Sequence, residues 1–379
     1  MRLLILSLPS VAGWGGSEEL WAETARVALE AGHQVWITPR LDIDRRDAPV
    51  RGLIEAGAVV LHRNPGSATR RGPGAEVVPA AASRVAGTAD AILLNAGGSV
   101  RELLHPEVLR LVRQSRPCPL FLAVRLVSER DLLADAERQQ ARAVLELAAG
   151  VLLPARRSQR ILERLLAAPV PRVTIVPSPV RRDLPGLLPW PATGTARFAC
   201  VGRLNPVQKG QDTLLEAFAA AQWRQRDWRL AFVGRGICRG YLEDLVHHYG
   251  LTDRVVFSGF QDSMVDVWSQ NELLLLPSRE EGMPIAVMEA MYCGRPCLVT
   301  DVGDNRRFVR QSETGFVARS DRVEGLAEAL EDAWRQRASW PELGRLAHTL
   351  FCQERDPDPG GTVLSLMLSG RESPSDDLV

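Results

Sequence analysis

The chain has 379 residues with 46 basic and 46 acidic side chains, so its formal net charge is zero. That balance excludes the positive footprint of a protein that coats nucleic acid. Hydrophobic residues make up 45% and charged residues 24%, a globular composition with enough chain for more than one core.

The first residues, Met1-Arg2-Leu3-Leu4-Ile5-Leu6-Ser7-Leu8-Pro9, carry one positive charge and no small-residue cleavage site. They read as a buried first strand rather than a signal peptide. No apolar run reaches the roughly 18–20 residues that span a bilayer, so no transmembrane segment is expected. Further strands are predicted at 34–37, 58–61, 91–94, 120–124, 151–153 and 173–176, after a first at 3–8. Helical periodicity lies between them, as at 18–30 and 132–147. Such alternation implies βαβ units and a parallel sheet covered on both faces.

Pro177, Pro179, Pro185, Pro189 and Pro191 then break the pattern, with Gly186 and Gly194. This stretch reads as a linker. The alternation restarts with strands at 198–201, 230–233, 255–257, 273–276 and 297–300. Helices are expected from Gln211, Tyr241 and Pro284. The expected organisation is a first domain at 1–178, a linker at 179–194, a second domain at 195–352 and a tail at 353–379. Asp356-Pro357-Asp358-Pro359-Gly360-Gly361 breaks the chain before a short apolar segment at 363–368, and 371–379 reads as disordered. Two successive α/β units suggest a ligand cleft between them, beyond the carboxyl ends of the strands.

Six cysteines, at 118, 200, 238, 293, 297 and 352, form no C-x-x-C pair. They read as buried structural thiols in a reducing, cytoplasmic setting. The basic residues comprise 45 arginines and one lysine, Lys209. Its surroundings decide whether that matters. In Val201-Gly202-Arg203-Leu204-Asn205-Pro206-Val207-Gln208-Lys209-Gly210 a strand runs into a loop that can aim two cations at a diphosphate. The G-x-x-x-x-G-K-[ST] spacing of a P-loop is absent.

The strongest motif is Ser278-Arg279-Glu280-Glu281-Gly282-Met283-Pro284-Ile285-Ala286-Val287-Met288-Glu289-Ala290-Met291. Pro284 suits the first turn of a helix, whose free amides can seat a phosphate. Glu281 and Glu289 can accept paired hydroxyl hydrogen bonds from a sugar or a ribose. The simpler reading makes Glu281 a dipole-complementing residue and Glu289 an exposed helix position. Near the start, Gly13-Trp14-Gly15-Gly16-Ser17-Glu18-Glu19 is a glycine-rich turn in which Ser17 reads as an N-cap and the two glutamates suit the dipole. It fails as a dinucleotide fingerprint, because Glu18 stands at the third glycine position.

Together these motifs resemble the nucleotide-sugar-dependent glycosyltransferases of family 4, over most of residues 196–320 and more weakly at the N-terminal loop. The E-x7-E signature is matched by Glu281 and Glu289, G-R-x5-K-G by Gly202, Arg203, Lys209 and Gly210, and E-A-M-x-x-G by residues 289–294. The resemblance implies the GT-B fold: α/β, with two Rossmann-like doubly wound domains facing across a cleft. By the same resemblance Arg203 and Lys209 hold the donor diphosphate, Glu281 contacts the donor sugar and Glu289 the ribose. The backbone of Gly282, Met283, Pro284 and Ile285 lines the sugar and phosphate site, the base lies near Gly234 and Phe260, and Gly15 and Gly16 approach the donor phosphate or the acceptor.

The implied reaction moves a sugar, with retention, from a nucleoside diphosphate sugar to a glycan, lipid-linked or small-molecule acceptor. No Asp-x-Asp motif stands in a plausible donor position, so no metal or other cofactor is expected. The implied place is the cytoplasm or the inner membrane face. A glycoside hydrolase is disfavoured, because a cationic diphosphate cradle beside the two glutamates serves no hydrolytic purpose. A phosphorylase would want a cofactor lysine, and the single lysine is already assigned. Two departures from the family pattern support a rival reading, a catalytically degenerate nucleotide- or glycan-binding protein. Arg125 stands where many members carry a histidine facing the donor, and relatives often have a glutamate near Arg307. Among the histidines, His33 reads as structural at a helix exit, whereas His62 stays undecided.

Overall fold

The computed structural model describes residues 1–8, 14–39, 48–63, 77–114, 118–192 and 194–370. Thirteen strands in the described residues form two sheets, parallel throughout. The first contains β1 (Arg2–Ser7), β2 (Gln34–Thr38), β3 (Val59–Val60), β4 (Ala91–Ala96), β5 (Leu120–Val124), β6 (Gly150–Leu153) and β7 (Val173–Ile175). Their order is β3-β2-β1-β4-β5-β6-β7. The second contains β8 (Ala196–Val201), β9 (Trp228–Val233), β10 (Val255–Gly259), β11 (Leu273–Leu276), β12 (Cys297–Thr300) and β13 (Gly315–Ala318), in the order β10-β9-β8-β11-β12-β13.

Alternation along buried strands builds each pair of cores. In β1, Leu4 and Leu6 enter one apolar cluster while Leu3 and Ile5 enter the other, on the opposite face. In β11, Leu273 and Leu275 pack on one side and Leu274 and Leu276 on the other. Four leucines in a row are therefore a central strand covered on both faces. Register keeps the rows aligned: Ile5 lies beside Ile37 and Leu93, and Leu275 beside Leu298. Each sheet reverses its strand order beside its first strand, β1 or β8, which is where doubly wound sheets hold ligands.

The division of the chain differs from the expected boundaries. One compact unit contains residues 1–179 together with 356–379, and the other contains 180–355. Pro177 and Pro179 close the first unit, and the rest of the proline-rich stretch belongs to the second, where Arg295 donates to the carbonyls of Leu188 (3.3 Å) and Pro189 (2.6 Å). The expected tail is instead a helix, Pro359–Ser369, that packs on the helix Gly16–Glu30. Val363, Leu364 and Met367 bury into the same cluster as Leu20, Trp21 and Ala28. Asp358 caps that helix by accepting from the Gly361 amide at 2.9 Å, and Pro359 opens it. Residues 371–379 lie outside the described residues, as does Gly13 of the glycine-rich turn. No helix among the described residues is long and apolar enough to cross a membrane.

Candidate functional site of the second unit

The carboxyl ends of β8, β9 and β11 carry the residues the sequence singled out. After β8, Gly202 and Arg203 lead into the short helix Pro206–Lys209. After β11, the loop 277–284 leads into the helix Ile285–Tyr292. The two segments meet. Lys209 Nζ donates to Glu281 Oε1 at 2.5 Å, and Ser278 Oγ donates to the same oxygen at 2.7 Å. The Lys209 and Glu281 side chains are 17% and 8% exposed, so their attraction is weakly screened. Thr300, at the end of β12, donates to the Ser278 carbonyl and fixes the loop from beneath. The Cys200 thiol lies in the field of this pair, but burial dominates and pushes it up to about 12.

Close backbone approach holds these loops together. Gly210 adopts φ 64°, and a Cβ there would lie 2.1 Å from the Pro277 carbonyl oxygen. Gly234, after β9, has φ 141°, and a Cβ would fall 2.0 Å from the Gly202 carbonyl. Gln211 Nε2 donates to the Arg203 carbonyl at 2.8 Å. Arg203 itself is half-buried at the strand end. Phe260, following β10, is 42% exposed and carries Arg235 over its ring at 5.6 Å. Gly282 and Pro284 are buried, while Met283 and Ile285 are half-buried.

Three local readings are revised. Pro284 is the residue before the helix rather than its first turn. The Ile285 and Val287 amides bond back to Met283 (3.0 Å) and Pro284 (2.9 Å), so they are not free for a ligand. Glu289 is 4% exposed, which excludes the solvated-helix reading. The structure thus joins Glu281 and Lys209 directly, and places Glu289 on the adjoining helix.

The first unit supplies a different surface. Gly15, in extended backbone, precedes the helix Gly16–Glu30, and Ser17 lies inside it. The expected Ser17 cap is absent because the helix begins one residue earlier, with Gly15 at the cap position, and the Ser17 hydroxyl donates to Glu18 Oε1 at 3.0 Å. Glu18 is fully buried instead of facing the helix end in solvent. It accepts from Ser7 Oγ at 2.9 Å and Trp21 Nε1 at 2.7 Å. Asn95 joins through Ser7 Oγ (3.3 Å) and the Ser17 carbonyl (3.2 Å). No local motif signals this network, since its members are up to 88 positions apart.

Arg125 is 4% exposed and donates to the Val176 carbonyl (3.0 Å) and Ser178 Oγ (2.7 Å). Burial pushes its guanidinium down to about 9. Arg307 lies 3.6 Å from Asp304 and 3.5 Å from Glu354. His33 Nδ1 lies 3.1 Å from the Met1 amino group, in keeping with a structural role. His62 is exposed. Cys200, Cys293 and Cys297 are buried, but Cys352 is exposed, so the uniform burial expected of the thiols does not hold. No group of three or more metal-ligating side chains occurs among the described residues.

Residues 195–336, a little over a third of the chain, match the family described as "Glycosyl transferases group 1". An exopolysaccharide phosphotransferase of Streptomyces coelicolor is 29% identical over 194 residues, 51% of this chain and 20% of that protein. The alpha-D-kanosaminyltransferase of Streptomyces kanamyceticus is 35% identical over 133 residues, 35% of this chain and 34% of that one. A D-inositol 3-phosphate glycosyltransferase of Gordonia bronchialis is 34% identical over 158 residues, 39% and 34% of the two chains. The chain thus spans a fifth to a third of these curated relatives. Likeness to solved structures extends further. Anabaena HepE in complex with UDP-glucose superposes with a TM-score of 0.73 at 18% identity, covering 97% of this chain and 99% of that one. Sucrose-phosphate synthase of Thermosynechococcus elongatus gives 0.71 at 18% identity, covering 97% and 98%. The fold is therefore α/β of the GT-B class, with two Rossmann-like doubly wound domains.

Proposed function

We propose that the chain is a glycosyltransferase that takes its sugar from a nucleoside diphosphate sugar, retains the anomeric configuration and needs no metal ion. One observation carries this reading: the single lysine is held 2.5 Å from Glu281, at the carboxyl ends of the second sheet. In the reaction the bond from the anomeric carbon to the diphosphate oxygen breaks, and an acceptor hydroxyl oxygen bonds to that carbon on the same face. The acceptor's proton passes to the leaving diphosphate oxygen, on which negative charge collects as its bond to the sugar breaks. Lys209 and Arg203 stabilise that charge as it develops, which is electrostatic catalysis by groups already in place. Glu281 orients the sugar and Glu289 the ribose. The UDP-glucose held by HepE supports a UDP sugar as the donor, with a glycan, lipid-linked or small-molecule acceptor.

A binding protein without turnover is the second reading, since Arg125 and Arg307 depart from the family pattern. Both are engaged within their own units, Arg125 by Val176 and Ser178 and Arg307 by Asp304 and Glu354. That engagement supports turnover. The test is release of nucleoside diphosphate from UDP, GDP, ADP and dTDP sugars, with mixed acceptors, with and without a chelator. Release that survives the chelator is expected. Binding of a nucleotide with no release from any donor would favour the second reading.

A further inference from the structure

We infer that Arg279, together with Asp212, is a positioning residue that presents Lys209 to the donor; the inference rests on the donor site proposed above. Lys209 and Glu281 are 72 positions apart, one ending a four-residue helix and the other in a loop. Something must keep those segments in register. The Arg279 guanidinium donates to both oxygens of Asp212, at 2.9 and 3.1 Å, and to Thr213 Oγ1 at 2.7 Å. It also donates to the Pro206 carbonyl. Its acceptors therefore stand on both sides of Lys209, three positions before it and three and four after. The backbone repeats the connection, since the Arg279 and Glu280 amides both donate to the Gln208 carbonyl, at 2.8 and 3.2 Å.

One side chain from the loop that holds Glu281 thus brackets the turn that holds Lys209. The planar fork suits this, because it makes a bidentate carboxylate pair and still has donors left for a hydroxyl and a carbonyl. A lysine at 279 could supply the charge but not that set of bonds. Arg279 reaches the donor only through Lys209. Its removal should loosen the ammonium without removing it.

The test measures UDP affinity by calorimetry on the full chain. Arg279→Met should weaken UDP binding about tenfold, and Asp212→Asn about threefold, as coupled neighbours do. Arg279→Lys should recover part of the loss. In a Lys209→Met background, Arg279→Met should change affinity by less than about twofold, because the group it positions has gone. A merely structural role would weaken binding equally in both backgrounds. That equality, or an Arg279→Met affinity within about twofold of the unmodified chain, overturns the inference. Should Arg279→Met fail to fold, Asp212→Asn and Arg279→Lys carry the same comparison. Failure of the unmodified chain to bind UDP, GDP, ADP or dTDP would instead remove the donor site itself, and the inference with it.

Discussion

Lys209→Met probes the ion pair on which the site is built. It removes an ammonium 2.5 Å from Glu281 Oε1, from side chains 17% and 8% exposed. At an effective dielectric of about 20, the attraction at that separation is about 7 kcal/mol. Desolvation of the two ions offsets much of this, and Ser278 still donates to the same oxygen. What remains is a nearly buried carboxylate without its cation, for which a loss of about 2–4 kcal/mol is expected. Lys209→Met with Glu281→Gln should restore most of that, because the stranded charge has gone. Urea unfolding followed by tryptophan fluorescence is suitable, as Trp223, Trp228, Trp268 and Trp340 are buried in the second unit. A single variant within about 0.5 kcal/mol of the unmodified chain would refute the reasoning. So would a double variant no more stable than the single one.

Glu281→Gln should keep nucleoside diphosphate affinity while transfer falls at least about a hundredfold, and Glu289→Ala should weaken the free nucleotide itself; calorimetry beside a turnover assay separates the two roles. Met367→Ala, in the returning helix, should cost about 2–4 kcal/mol in unfolding experiments, whereas a detached tail would show no change. In native protein a thiol reagent should modify exposed Cys352 first. Cys200, Cys293 and Cys297, whose thiols burial holds well above their ordinary range, should react only after denaturation. Prompt native labelling of any of those three would contradict the packing.

Twelve of the strands were legible as short apolar or β-branched runs, the central ones because a parallel strand covered on both faces must be apolar throughout, as Leu273–Leu276 is. β13 escaped notice because Phe316 and Val317 are the only large apolar residues of Gly315–Ala318. The returning helix was read as a chain break, although Asp358-Pro359 is itself a cap followed by a first-turn proline. Lys209 and Glu281 could be suspected from their motifs, yet nothing in either motif fixes the distance between them. Residues that act across the fold were illegible. Arg279 reaches Asp212 over 67 positions, and Arg125 reaches Ser178 over 53. Glu18 is a helix-start glutamate by local pattern, yet it turns inward to Trp21 and to the strand end at Ser7.

The central claim is that Lys209 lies over the diphosphate of a bound donor. An amine-reactive nucleotide dialdehyde tests it most directly, because the chain's only amines are Lys209 and the N-terminal amino group. Peptide mass spectrometry should find the label concentrated at Lys209, with activity lost in proportion and both effects suppressed by saturating UDP. Equal labelling of Lys209 with and without saturating nucleoside diphosphate would place the lysine outside the site and contradict the account.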